Sequence, residues 1–191
     1  MTHILKNHFA LNKGDYQRGI ESGKYNNAWR EGLSIAPVTP TITALRELQG
    51  RLSEKWQWKD QGRYKDILAL DEKLRHEETA LYLLRDNGKP VGYAYVTAPD
   101  ASLKERFWGA ANANVIEIEN LGMFPGCEGG GRGKSYFEML FARYFKNYDA
   151  IYWSQHETHS PTLKRFYQNK MGMTLLATDK VPDFRSTRKF G

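Results

Sequence analysis

Val115-Ile-Glu-Ile-Glu-Asn-Leu-Gly-Met-Phe-Pro125, then Glu128-Gly-Gly-Gly-Arg-Gly-Lys-Ser135, then Tyr136-Phe-Glu-Met-Leu-Phe-Ala-Arg-Tyr-Phe145 read in order as a strand, a glycine-rich loop and a helix. The first half of the opening segment alternates apolar with polar residues, the pattern of a half-buried strand. The last segment is apolar on most sides and predicts a largely buried helix. A strand, a glycine loop and a helix start suit the holding of a phosphate. Glycines let backbone N–H groups approach an anion without side-chain obstruction, and a helix start adds unpaired N–H donors and the positive end of a dipole.

Two kinds of phosphate site compete for this loop. The nucleotide P-loop requires Gly-x-x-x-x-Gly-Lys-Ser/Thr. Gly133-Lys134-Ser135 fits its end, but the first required glycine falls on Glu128, whose carboxylate would face the phosphates. An ATPase would also want an aspartate at the end of a strand for magnesium, and the strand predicted near Ala150–Ser154 ends without one. The alternative is the acyl-CoA pyrophosphate loop, Gln/Arg-x-x-Gly-x-Gly/Ala. Glu128-Gly129-Gly130-Gly131-Arg132-Gly133 fits both of its small positions and misses only the first residue. A glycine turn that binds nothing is the plain structural reading. The acyl-CoA pattern is the better match, with Arg132 and Lys134 available to offset the charge of Glu128.

Working outward, Thr39-Pro40 predicts a helix start. Ile42, Leu45, Leu48 and Leu52 then recur at helical spacing, giving a helix from about Pro40 to Glu54. A loop with Trp56, Trp58 and Gly62 leads to a second helix, roughly Arg63 to His76, whose apolar stripe is Tyr64, Ile67, Leu68 and Leu74. Thr79–Arg85 and Val91–Thr97 read as strands joined by Asn87-Gly88, a strong hairpin signal. Residues 99–112 read as a polar connection, and the strand from about Asn114 to Met123 completes a meander. After the loop and its helix come a strand at Ala150–Ser154 and a short helix from Ser160-Pro161 to Asn169. Two last strands are predicted near Met173–Thr178 and Arg185–Phe190. Residues 1–36 give no clear pattern, with Gly14, Gly19, Gly23 and Gly32 interrupting.

The 191 residues suit a single domain, residues 1–191, and 40% hydrophobic with 13% aromatic content argues against disorder. A net charge of +6 favours a polyanionic partner such as CoA or nucleic acid, or a basic but otherwise ordinary enzyme surface. Cys127 is the one cysteine, so an intramolecular disulfide is excluded. The sequence predicts neither a signal peptide nor a membrane span, and a cytoplasmic location is expected.

The order of elements resembles the GNAT superfamily of N-acetyltransferases. The residues that carry the resemblance are Leu121-Gly-Met-Phe-Pro125, Glu128–Gly133, Ser160-Pro-Thr-Leu-Lys-Arg-Phe-Tyr167 and Met171-Gly-Met173. In that family a later helix carries Asn-x-x-Ala-x-x-Phe/Leu-Tyr, then Gly-Phe. Phe166-Tyr167 and Gly172 match, while Ser160, Leu163 and Met173 replace the usual Asn, Ala and Phe. The resemblance implies an α/β (α+β) fold, a mixed but mostly antiparallel central sheet flanked by helices, over about residues 79–178.

It also implies acetyl-CoA as the acyl-donor cosubstrate and direct transfer to an amine on a small molecule, peptide or protein. Neither a metal nor a membrane is expected, and the chain would be a monomer or homodimer. Leu121, Gly122 and Met123 would lie beside pantetheine, the Met123 N–H polarising the thioester oxygen. Glu128, Gly129, Gly130, Gly131, Arg132, Gly133 and Lys134 would take the pyrophosphate, and Ser160 would complete the cofactor set.

Chemistry at an amine needs deprotonation, since a lysine amine is neutral in only roughly one molecule in 2,500 at pH 7. Glu117 and Glu119 share one face of their strand. Glu117 falls where some members of the family place the catalytic glutamate, and Glu119 is the second choice; both could instead be polar residues on a wet face. Tyr167 matches the family's general acid, with a core tyrosine as its plain alternative. His156, Glu157 and His159 read as a polar loop rather than a zinc site, and Cys127 has no identifiable base partner. The rival to an enzyme is a catalytically inactive binding module of the same fold, taking nucleic acid or another anion by charge.

Overall fold

The computed structural model describes residues 3–26, 31–58, 67–157 and 161–183. Residues 1–36, which give no clear pattern in the sequence, supply β1 (His3–Asn12), α1 (Lys13–Glu21) and most of β2 (Leu33–Val38). Then follow α2 (Ile42–Gly50), a 3₁₀ turn (Glu54–Trp56) and α3 (Ile67–Leu74). Helix α2 starts two residues later than Thr39-Pro40 suggests, because the Thr41 hydroxyl accepts the Ala44 N–H at 3.1 Å and caps it. Helix α3 covers the described part of the second expected helix, and Tyr64 lies outside the described residues.

The hairpin forms as read. β3 (Ala80–Asp86) and β4 (Lys89–Thr97) pair antiparallel through Asn87 and Gly88, with φ of 51° and 80°, the left-handed pair that a tight hairpin turn requires. The connection expected over residues 99–112 instead holds α4 (Ala101–Trp108), which ends at Gly109 in the left-handed conformation. Then come β5 (Val115–Met123) and α5 (Arg132–Tyr144). Helix α5 starts four residues before Tyr136, the expected first residue, because Gly131 turns the chain and the glycine loop runs straight into the first helical turn. β6 (Ala150–Glu157), α6 (Pro161–Arg165), a π-helical turn (Phe166–Lys170) and β7 (Thr174–Pro182) complete the fold. The strand expected at Arg185–Phe190 lies outside the described residues.

The seven strands order as β2-β3-β4-β5-β6-β1-β7, antiparallel except for β5 and β6. This is the mixed, mostly antiparallel sheet that the sequence implies. Helices cover both faces. On one, Tyr16 and Ile20 of α1, Phe137, Leu140 and Phe141 of α5, and Tyr167 pack on Phe9, Val96, Ile116, Ile118 and Trp153. On the other, Leu45 and Leu48 of α2 and Leu74 of α3 cover Leu81, Tyr93 and Tyr95, while Phe107 and Trp108 of α4 cover Val115 and Tyr152.

Candidate active site

Strand β5 carries a phase change that shapes the site. Its inward apolar residues are Ile116 and Ile118, then Leu121 and Met123, so the alternation slips by one. The slip is a β-bulge. Tyr95 pairs with Asn120 and Val96 with Ile118, leaving Glu119 as the extra residue. Glu117, Glu119 and Gly122 therefore look toward α2 and α3, where an added methyl at Gly122 would lie 2.7 Å from Leu52 Cδ2.

The sheet opens beside the bulge. β5 pairs with β6 only through Val115–Ala150, Ile116–Ile151 and Glu117–Tyr152. Beyond that point β5 stays with β4 as far as Met123, and β6 stays with β1 as far as Glu157. The Phe124 N–H reaches across β4 to the Val91 carbonyl at 2.8 Å. N–H groups alternate sides along a strand, so Met123 and Leu121 turn their backbone groups away from β4, into the gap. The gap is an unfilled strand position, 121–123 on one side and 153–157 on the other.

The glycine loop lies at the end of that gap. Gly131, at φ 74° and exposed, is the N-cap of α5 and offers no side chain to close the helix end. No side chain caps the first turn of α5, where the Arg132 N–H reaches the Gly129 carbonyl at 3.4 Å and the Ser135 N–H the Gly131 carbonyl at 3.1 Å. The two cations of the loop are engaged by the protein itself. Arg132 Nε donates to the buried Asp86 carboxylate at 2.9 Å and Nη1 to the Cys127 carbonyl at 3.2 Å, tying the hairpin to the loop. Lys134 pairs with the buried Glu138 one turn on. Glu128 is exposed.

Of the candidate acid and base residues, Glu117 is half-buried at the last rung before the opening. Glu119 has a mostly buried side chain and pairs with Lys73 of α3 at 3.4 Å. That ion pair occupies the Glu119 carboxylate. Tyr167 sits in the π-helical turn among Phe9, Phe137 and Trp153. Burial raises its pKa above the ordinary phenol value. The Trp153 indole N–H, close but short of full hydrogen-bond geometry, pulls in the opposite direction. Trp56 and Trp58 pack half-buried over Leu45, Leu48, Tyr93 and Tyr95 beside the same opening. Ser160 and His159 lie outside the described residues. Among the described residues, no three His, Cys, Asp or Glu side chains could hold a metal ion, and no helix is long and apolar enough to cross a membrane.

Sequence reasoning misses one polar cluster altogether. His8 on β1 is buried; its Nδ1 lies 2.5 Å from Tyr152 Oη and its Nε2 2.8 Å from Asp179 Oδ2. Asp179 on β7 also takes both Nη1 and Nη2 of Arg106, at 2.6 and 2.9 Å. Hydrogen bonding from Arg106, reinforced by His8, holds the Asp179 carboxyl well below the usual carboxylate range. Burial lowers the His8 pKa below its ordinary 6.5, against the raising effect of Asp179. Burial, then the charge of Glu117, raises the Tyr152 phenol. The strand order brings His8, Tyr152 and Asp179 together, and α4 adds Arg106.

The model of the acetyltransferase (GNAT) family matches residues 42–173, well over half of the chain. The chain belongs to the GNAT family of acetyltransferases. Solved structures agree on the fold. A functionally unknown conserved protein from Staphylococcus epidermidis is similar over 94% of this chain and 60% of its own, at 12% identity and a TM-score of 0.58. A GCN5-related N-acetyltransferase from Anabaena variabilis is similar over 92% of this chain and 39% of its own, at 15% identity and a TM-score of 0.55. One from Kribbella flavida gives 93%, 56%, 14% and 0.50 for the same quantities. At such identities the likeness is one of fold alone. This GNAT chain spans between 39% and 60% of the length of those relatives. No curated protein sequence matches it.

Proposed function

We propose that this GNAT protein is an acetyl-CoA-dependent N-acetyltransferase of the cytoplasm that passes an acetyl group directly to an amine. The observation that carries the reading is the opening of the sheet after the Glu117–Tyr152 rung, beside backbone groups of Leu121 and Met123 that face the gap. An extended pantetheine arm would fill that vacant strand position, contacting the main chain of Leu121, Gly122 and Met123. The Met123 N–H would polarise the thioester oxygen.

The pyrophosphate would sit at the start of α5 against the backbone of Gly129 to Lys134. Because Arg132 and Lys134 are already paired with Asp86 and Glu138, backbone N–H groups and the helix dipole would carry most of the anion binding. Glu128, exposed at the loop tip, would turn away from the phosphates, and Ser160 at the start of the last helix would complete the contacts.

Glu117 is the general base, and Glu119, paired with Lys73, is the second choice. Tyr167, protonated at neutral pH, would give its proton to the departing CoA thiolate, while burial makes the phenol a weaker acid than in water. The amine nitrogen attacks the thioester carbon, the C–S bond breaks, and the sulfur takes the proton. The test is thiol release: acetyl-CoA incubated with the protein and a panel of primary amines should yield free CoA with at least one acceptor. The acetylated amine should appear by mass spectrometry. Acetyl-CoA left intact with every amine, by a protein that binds it, would overturn the transferase reading.

A further inference from the structure

The chain Arg106–Asp179–His8–Tyr152 has a direction that its donors and acceptors dictate. An ionised carboxylate only accepts, so His8 donates from Nε2 to Asp179. The Nδ1 of a neutral ring is then a bare acceptor, and the Tyr152 hydroxyl donates to it. The phenol oxygen keeps lone pairs, one facing the Ser154 hydroxyl and one left to receive another proton. Tyr152 is the register partner of Glu117 across the parallel ladder, so the two side chains are neighbours on one face. Phe107 and Trp108 of α4 pack over the phenol ring, and Tyr152 is 1% exposed. Substrate does not reach it.

The reaction gives this arrangement a use. An ammonium that becomes an amide loses two protons from nitrogen, and of the two carboxylates on this face Glu119 is already paired with Lys73, which leaves Glu117 to take one. A base that has taken the first proton is spent until it unloads.

We propose that Tyr152 and His8 relay the proton that Glu117 takes from the acceptor amine, His8 holding it as an imidazolium against Asp179. The proposal rests on Glu117 being the base. In the step, the ammonium N–H bond breaks with its electrons left on nitrogen, and a Glu117 O–H bond forms. That proton passes to Tyr152 Oη as the proton of Tyr152 passes to His8 Nδ1. Glu117 is again a carboxylate and His8 carries the charge, which returns to solvent along the same path after product leaves. His8 and Tyr152 are positioning residues here, acting through Glu117.

The groups around His8 set its affinity. Asp179 of β7 favours the imidazolium, while Lys6 on its own strand, Arg106 of α4 and burial oppose it. Tyr152 of β6 bonds to it and feels the charge of Glu117 on β5. A site that loads only transiently needs this near balance.

The test is NMR of the His8 ring in the full chain as a function of pH, in wild type, Glu117→Gln, Tyr152→Phe and the double variant. Neutral His8 should carry its proton on Nε2. Glu117→Gln should lower its titration midpoint by about half a pH unit or more in wild type. In the Tyr152→Phe background the same substitution should move it less than half as far. A neutral ring protonated on Nδ1, or an equal shift with and without the phenol, overturns the relay. Should Tyr152→Phe fail to fold, the wild-type tautomer decides. Acetyl-CoA titration of the same samples is read separately: coupling without acetyl-CoA binding contradicts the proposed function and leaves the relay standing.

Discussion

Gly133 is the second residue of α5, has an ordinary helical φ, and an added Cβ there would meet nothing within 4 Å. Glycine in a helix is up to about 1 kcal/mol worse than alanine. No packing inside the protein repays that cost; under the proposed function, close approach of an anion to the backbone would. Gly133→Leu should therefore melt at or above the wild-type temperature and yet lose acetyl-CoA affinity. Differential scanning fluorimetry without and with acetyl-CoA checks both halves. Glu117→Gln should lower kcat/KM by about 10²-fold or more and flatten the acidic limb of its pH profile, because an amide cannot take up the proton. Tyr167→Phe should lower kcat by a factor on the order of 10² while leaving the acetyl-CoA Kd within a few-fold of wild type, since the ring packing is kept.

Among elements, legibility followed turn chemistry and apolar content. The hairpin at Asn87-Gly88 and the apolar, β-rich runs of β3 to β6 showed in the sequence, although β4 is buried on both faces from Val91 to Thr97. β1 did not: from Asn7 to Leu11 it is buried on both faces, and its polar Asn7 and His8 are satisfied by Gln155, Glu157, Tyr152 and Asp179. Without alternation, and with polar residues inside, the strand carries no periodic signal. Helix α4 hid among charged residues, although Asp100 before it and Gly109 after it were boundary cues. The bulge at Glu119 was written in the shift from Ile116 and Ile118 to Leu121 and Met123.

Two predictions belong to elements. Asp86→Ala, which frees the loop from the hairpin and leaves Arg132 without its carboxylate, should cost about 1–3 kcal/mol in urea denaturation. Because burial lowers the His8 pKa, the unfolded chain takes up the extra proton. The stability contributed by neutral His8 is present above about pH 6.5 and lost as pH falls through that value toward the folded pKa. Urea midpoints at pH 7.5 and 5.5 should differ more in wild type than in His8→Gln.

Over the whole molecule, the family was legible from the order of elements and from two motifs at the right interval, now joined by the family match over residues 42–173. The His8 cluster was not, because strand order β6-β1-β7 sets His8 beside Tyr152 and Asp179, 144 and 171 residues away in sequence. One sheet thus presents two structures at a single rung: the gap between β5 and β6 on one side of the Glu117–Tyr152 pair, and a polar chain leading away from it on the other. The central claim is that the gap and the start of α5 hold acetyl-CoA. The measurement that tests it most directly is calorimetric titration of the wild-type chain and of Gly133→Leu with acetyl-CoA, with Mg-ATP as control. The account predicts one-to-one acetyl-CoA binding by the wild type, none by the variant, and no heat from ATP. Equal acetyl-CoA binding by a folded Gly133→Leu, or no binding by the wild type, would contradict it.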